Sequence, residues 1–119
     1  RGYALDRPHL KELIKEGICH KGFAFIDILQ PCIIFHNVVP YLQKNIYRLD
    51  ENRNKGDFSG ALKLARLWDY CFEKDKKVPI GIFYKIKKPT FEEQWPQLKK
   101  PWYTLGRKVN FEKIIKEFE

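Results

Sequence analysis

The run FAFIDIL, Phe23 to Leu29, holds one polar side chain, Asp27, and is otherwise apolar on both strand faces. A strand with one face in water alternates apolar and polar residues. A run without alternation belongs to a strand covered on both faces, as in the parallel sheet of an α/β domain. A second run of this kind, VPIGIFYK, spans residues 78–85. Pro31 has no N–H to give to a ladder, so pairing of the first strand should stop near it. Cys32 then stands at the carboxyl end of a strand, where open α/β sheets place their ligands. By itself it reads as either a small buried hydrophobe or a thiol held out for chemistry.

The flanking segments carry helix signals. Asp6 is placed to cap a helix with Pro8 in its first turn, and Leu10, Leu13, Ile14 and Ile18 then fall on one face. Gly17 is an interior weakness of about 1 kcal/mol against alanine. Lys21 and Gly22 supply a cationic end and a left-handed stop. This helix and the following strand make half of a βαβ unit whose first strand is expected ahead of Arg1. Pro40 opens a short helix with Tyr41, Ile46, Tyr47 and Leu49 inward. DENRNKG, residues 50–56, reads as an exposed loop. Asp57 caps a helix whose Phe58, Ala61, Leu62, Ala65, Trp68 and Phe72 form a stripe suited to a core rather than a cofactor. Thr90 and Glu93 form a capping box before a short helix with Phe91 and Trp95. Pro96 and Pro101 break regularity, and Asn110 caps a last helix with Phe111, Ile114, Ile115 and Phe118 inward. The alternation indicates α/β with a largely parallel sheet. Two central strands are too few to complete it, so others are expected from upstream sequence or another chain.

Composition narrows the function classes. A length of 119 residues suits one domain, and no run approaches a membrane span. No charged-then-apolar leader is visible. The absence of methionine and the abrupt opening at Arg1 fit a piece of a longer chain or a trimmed one. Cys19, Cys32 and Cys71 are odd in number and widely spaced, which argues against a disulfide framework and for a reducing, cytoplasmic setting. The net charge of +8 comes from lysines scattered among acidic residues, the pattern of a solvated surface rather than a nucleic-acid groove. An acidic protein partner stays compatible with it. The seven glycines form no phosphate-binding loop, and the single serine, Ser59, lies in no nucleophile elbow. Cys19, His20, Cys32 and His36 lack zinc-finger spacing, and the intervening strand would hold the two pairs about 20 Å apart. Cys71 is expected to pack against its helix. His9 and His20 are expected on the surface at helix ends, His20 favoured there by the helix dipole.

The string L-K-E-L-I-K-E-x-I-x-H-K-G-F-A-F-I-D-I-L-Q-P-C, Leu10 to Cys32, resembles the thiamine-diphosphate-binding β subunit of 2-oxoacid:ferredoxin oxidoreductases of the 2-oxoglutarate and pyruvate type. The likeness continues in V-x-x-Y at Val38–Tyr41, I-Y-R-L at Ile46–Leu49 and V-P-I-G-I-F-Y-K-x-x-K-P-T-F-E-E at Val78–Glu93, covering about residues 1–95. The resemblance implies the C-terminal portion of a doubly wound, largely parallel sheet with the thiamine-diphosphate-binding fold and short terminal helices. Residues 1–88 would be the C-terminal half of that α/β domain, and 89–119 a helical tail for contacts between subunits. The implied cofactors are thiamine diphosphate, Mg2+ and one [4Fe-4S] cluster. The G-D-G signature and three cluster cysteines of the family have no counterpart in this chain. Cys32 matches the fourth cysteine, a metal ligand, because thiolates hold such clusters. No catalytic or cofactor-binding residue is carried over. The family's Thr-Phe-Asn run after P-C is replaced here by Ile34, Phe35, His36 and Asn37, a difference that bears on cluster potential or substrate.

The implied reaction is CoA-dependent oxidative decarboxylation of a 2-oxoacid, with electrons passing through the cluster to ferredoxin. An α subunit, ferredoxin, the 2-oxoacid and coenzyme A would be the partners; neither a membrane nor a nucleic acid is expected. The chain alone is not expected to be active. The alternative is a stand-alone basic module that binds nucleic acid or an acidic protein without redox activity.

Overall fold

A computed structural model describes residues 1–69, 76–95, 104 and 110–117. They fall into two compact units, Arg1–Lys88 and Pro89–Glu119. The first is α/β and opens with a βαβ unit: β1 (Gly2–Tyr3), α1 (Arg7–Cys19) and β2 (Ile28–Leu29). β1 and β2 pair in parallel, Gly2 opposite Ile28 and Tyr3 opposite Leu29. The Gly2 N–H donates to Asp27 O at 2.7 Å, and the Ala4 N–H to Leu29 O at 3.0 Å. The unit's first strand is therefore Gly2–Tyr3, where the sequence places it ahead of Arg1. Two residues are too few to show a strand period.

α1 starts as its sequence dictates. The Asp6 carboxylate accepts the His9 N–H at 3.4 Å, and Pro8 fills the first turn. Gly17 has a packing reason rather than being a bare weakness, since a Cβ there would lie 3.0 Å from Ile26 Cδ1. The helix stops at Cys19, and Gly22 follows with φ +116°. Only Leu13 of the predicted face is fully buried; Ile14 and Ile18 are exposed. His9 is half-buried, where the sequence places it on the surface. Its position above the Asp6 cap draws it in.

The second pairing joins β3 (Ile46–Arg48) to β4 (Val78–Ile80), again in parallel, with Ile46 opposite Val78 and Arg48 opposite Ile80. β3 follows directly on α2 (Val39–Asn45), which carries Pro40 in its first turn. Ile46 and Tyr47 thus belong to a strand, which suits their shape, and not to the helix. The residue that α2 buries in the hydrophobic core is Leu42. Loop 50–56 is a turn, as expected, and α3 (Phe58–Arg66) begins where the Asp57 carboxylate accepts the Gly60 N–H at 3.0 Å.

Tyr3, Leu29, Leu42, Trp68, Val78 and Ile80 form the core, with Val38, Tyr41 and Ile46 packed around them. Trp68 is 2% exposed although it lies beyond the end of α3. Ala61 of the predicted stripe is buried, whereas Phe58 is 62% exposed; Phe72 and Cys71 lie outside the described residues.

Both apolar runs pair over less length than they suggest. The ladder of the first covers Ile28–Leu29, while Phe23 and Phe25 are 87% and 81% exposed. Two-sided apolar character requires a covering layer, and none lies over these rings among the described residues. The ladder of the second run ends at Ile80 because Gly81 takes φ +130°. Side chains rarely adopt that conformation, and a Cβ there would meet Leu49 Cβ at 3.4 Å. Gly81→Ala is expected to lower stability by about 1–3 kcal/mol, seen as a reduced urea midpoint; an unchanged midpoint would contradict this.

In the second unit Thr90 and Glu93 exchange capping hydrogen bonds of 3.0 and 3.4 Å, ahead of a single 3-10 turn, Glu92–Gln94. Phe91 and Trp95 meet edge to face at 5.7 Å. The Asn110 side chain accepts the Lys113 N–H at 3.1 Å and caps α4 (Phe111–Lys116). Phe111, Ile114 and Ile115 are exposed, so the expected inward face has no cover among the described residues; Pro96, Pro101 and Phe118 lie outside them.

Candidate metal centre at Cys32

β2 carries the chain out of the core at Leu29, and the ladder ends two residues before Pro31, as a proline without an N–H requires. Cys32 follows, free and exposed. Residues 33–35 then turn back, and the His36 N–H donates to Cys32 O at 3.2 Å. Within this turn the backbone N–H of Phe35, and next that of Ile34, donate to the Cys32 sulfur and hold its thiol below the ordinary range. Donors aimed at sulfur stabilise thiolate over thiol. Half-maximal alkylation of Cys32 by iodoacetamide should therefore come at a lower pH than that of an unstructured cysteine peptide measured alongside. A midpoint at or above the peptide's would show that the donors do not reach the sulfur.

The residues that depart from the family's usual run have distinct places. Ile33, Ile34 and Phe35 expose their side chains beside Cys32, Phe35 to 91%. Asn37 serves the next helix, accepting the Val39 N–H at 3.2 Å on its side-chain oxygen. His36 is exposed at the end of the turn. Cys19 is an exposed free thiol at the last residue of α1, and His20, half-buried, caps that helix. Among the described residues no three His, Cys, Asp or Glu side chains converge to hold a metal ion. Cys32 can supply one thiolate.

One polar contact of the first run escapes a reading by periodicity. Asp27, the lone polar residue of the first run, pairs with the Arg1 guanidinium at 2.8 Å. That guanidinium also lies 5.4 Å from the ring centroids of both Trp68 and Phe83. A carboxylate inside an apolar run calls for a cation beside it, and that rule was the available signal. No helix among the described residues is long and apolar enough to cross a membrane.

Residues 32–100, more than half of the chain, match the model of the family described as the C terminal part of the pyruvate ferredoxin oxidoreductase β chain. The chain is 42% identical over 102 residues to a 2-oxoacid:ferredoxin oxidoreductase subunit β of Sulfolobus sp, covering 79% of this chain and 33% of that one. It is 37% identical over 110 residues to the equivalent β subunit of Saccharolobus solfataricus, covering 87% and 36%. A solved structure of 2-oxoglutarate:ferredoxin oxidoreductase from Magnetococcus marinus, with 2-oxoglutarate, coenzyme A and succinyl-CoA bound, superposes with a TM-score of 0.65 at 28% identity. That superposition covers 77% of this chain and 30% of the other. The chain thus spans about a third of the length of the curated relatives it matches.

Proposed function

The chain belongs to the family formed by the C-terminal part of pyruvate ferredoxin oxidoreductase β subunits, and on that premise we propose that it forms part of the β subunit of a 2-oxoacid:ferredoxin oxidoreductase, with Cys32 as one thiolate ligand of a [4Fe-4S] cluster. The observation that carries the ligand assignment is the free, exposed thiol that follows directly on the strand end at Pro31. Such a cluster takes up and passes on single electrons, and hydrogen bonds to its sulfurs tune its potential. Pro31 ends the ladder, the 33–35 turn follows the sulfur, and the exposed apolar side chains of Ile33, Ile34 and Phe35 stand beside it. Counting iron in cysteine variants of the complete subunit tests this reading.

Residues 1–88 then act as the C-terminal half of a doubly wound, thiamine-diphosphate-binding α/β domain, and 89–119 as a tail for contacts with an α subunit. The substrates are a 2-oxoacid and coenzyme A, the acceptor is ferredoxin, and the setting is cytoplasmic, in keeping with free Cys19 and Cys32. The oxidoreductase relatives leave the stand-alone basic module without support.

Thiamine diphosphate and Mg2+ do not fit the residues present. The glycines build no diphosphate cradle, and no carboxylate cluster forms among the described residues. Calorimetric titration of the 119-residue chain with the cofactor and Mg2+ is expected to show no binding. Micromolar affinity would place the cofactor's site within this chain.

A further inference from the structure

A strand with one buried face is held in register by its own pattern of apolar and polar residues. The run Phe23 to Leu29, apolar on both faces apart from Asp27, has no such pattern. Among the described residues its ladder with β1 covers Ile28–Leu29, a short hold on the strand. A slip of one residue moves a strand by about 3.3 Å along its axis. Cys32 follows three residues after Leu29 and would move with it. Metal–ligand distances tolerate about 0.2 Å, so a slip of that size takes the sulfur away from its metal.

Asp27 is the one residue of the run that a slip misplaces. Its backbone O accepts the Gly2 N–H at 2.7 Å, and its carboxylate accepts Arg1 Nε–H at 2.8 Å. The pair is sheltered, with 10% of the Arg1 side chain and 27% of the Asp27 side chain exposed. Arg1 is itself held from further directions. Its guanidinium lies 5.4 Å from the ring centroids of both Trp68 and Phe83. Its backbone exchanges hydrogen bonds of 2.9 and 2.8 Å with Gly81, the residue after β4. Arg1 thus ties the run before β2 to the segment after β4 and to the core tryptophan beyond α3. For stability alone, apolar residues of similar size often serve as well as a sheltered ion pair. What the charged pair adds is a penalty on every register but one, since a slipped Asp27 loses its cation inside an apolar run.

We propose that Arg1 is a positioning residue, which through Asp27 pins the register of the run ending at Cys32 and so the place of the cluster ligand. This rests on the reading of Cys32 as a ligand, and the test separates the two. In the complete β subunit, Arg1→Met combined with Asp27→Asn removes the lock without leaving a lone charge. Bleaching of the cluster by an iron chelator should quicken by about 10-fold or more, the scale on which groups supporting a metal ligand act. The EPR line of the reduced cluster should change shape, while the thermal midpoint stays near the parent's. Bleaching and EPR at the parent's level would overturn the proposal. Fast bleaching matched by a collapse of the midpoint would also overturn it, since Arg1 would then serve the fold alone. Cys32→Ala decides the underlying reading. Iron retained in that variant removes the ligand assignment, whereas iron lost there but held normally in the double variant removes only the role of Arg1.

Discussion

Cys32→Ser in the complete enzyme is expected to cut ferredoxin reduction by more than about 100-fold. Changing a group that only supports a metal ligand already costs about 10–100-fold, and removing the ligand itself should exceed that. Serine keeps the size and the exposed position of Cys32 but presents a hydroxyl, which is no substitute for thiolate at an iron–sulfur cluster. The substitution lies outside the core, so folding should survive and the loss should be specific to electron transfer. Cys19→Ser is the control: it is also a free, exposed thiol, but at the end of α1 with no comparable turn. Equal loss in both variants would remove the case for Cys32.

Trp68→Ala is expected to destabilise the fold by about 3–5 kcal/mol, the range for deleting a large buried aromatic side chain. Trp68 is 2% exposed and belongs to the same core as Val78 and Ile80. It also offers its ring to the Arg1 guanidinium at 5.4 Å, a contact worth up to about 2 kcal/mol when desolvated. Against a typical total of about 5–15 kcal/mol, this removes a large share of the stability. Phe58→Ala supplies the contrast. Its ring is 62% exposed and keeps one edge contact with Tyr84 at 5.5 Å, so its loss should stay within about 1 kcal/mol. Urea midpoints of the two variants decide it. Equal shifts would mean that the helical stripe, and not the residue beyond it, carries the core.

Signals confined to a few neighbouring residues were legible in the sequence. Asp6, Asp57 and Asn110 each accept the N–H three residues on, and Thr90 and Glu93 close a capping box, because these bonds need only local spacing. The strand end at Pro31 was legible for the same reason. Strands of two or three residues were not: Gly2–Tyr3 and Ile46–Arg48 carry no period and are defined by partners 26 and 32 positions away. The exposure of Phe23 and Phe25 was equally hidden, since an apolar run reports a need for cover and not who provides it. At the candidate metal centre the sequence offers the cysteine, while the influence of the Phe35 and Ile34 N–H groups on its thiol emerges only from the turn. The Arg1–Asp27 pair joins residues 26 apart, and only the lone carboxylate within an apolar run hinted at it.

The most direct measurement is iron and acid-labile sulfide per complete β subunit, in the parent and in Cys19→Ala, Cys32→Ala and Cys71→Ala. Cys32→Ala is predicted to lose the cluster, while the other two variants retain the parent's iron and sulfide. Parent-level iron in Cys32→Ala would contradict the assignment of Cys32 as a cluster ligand.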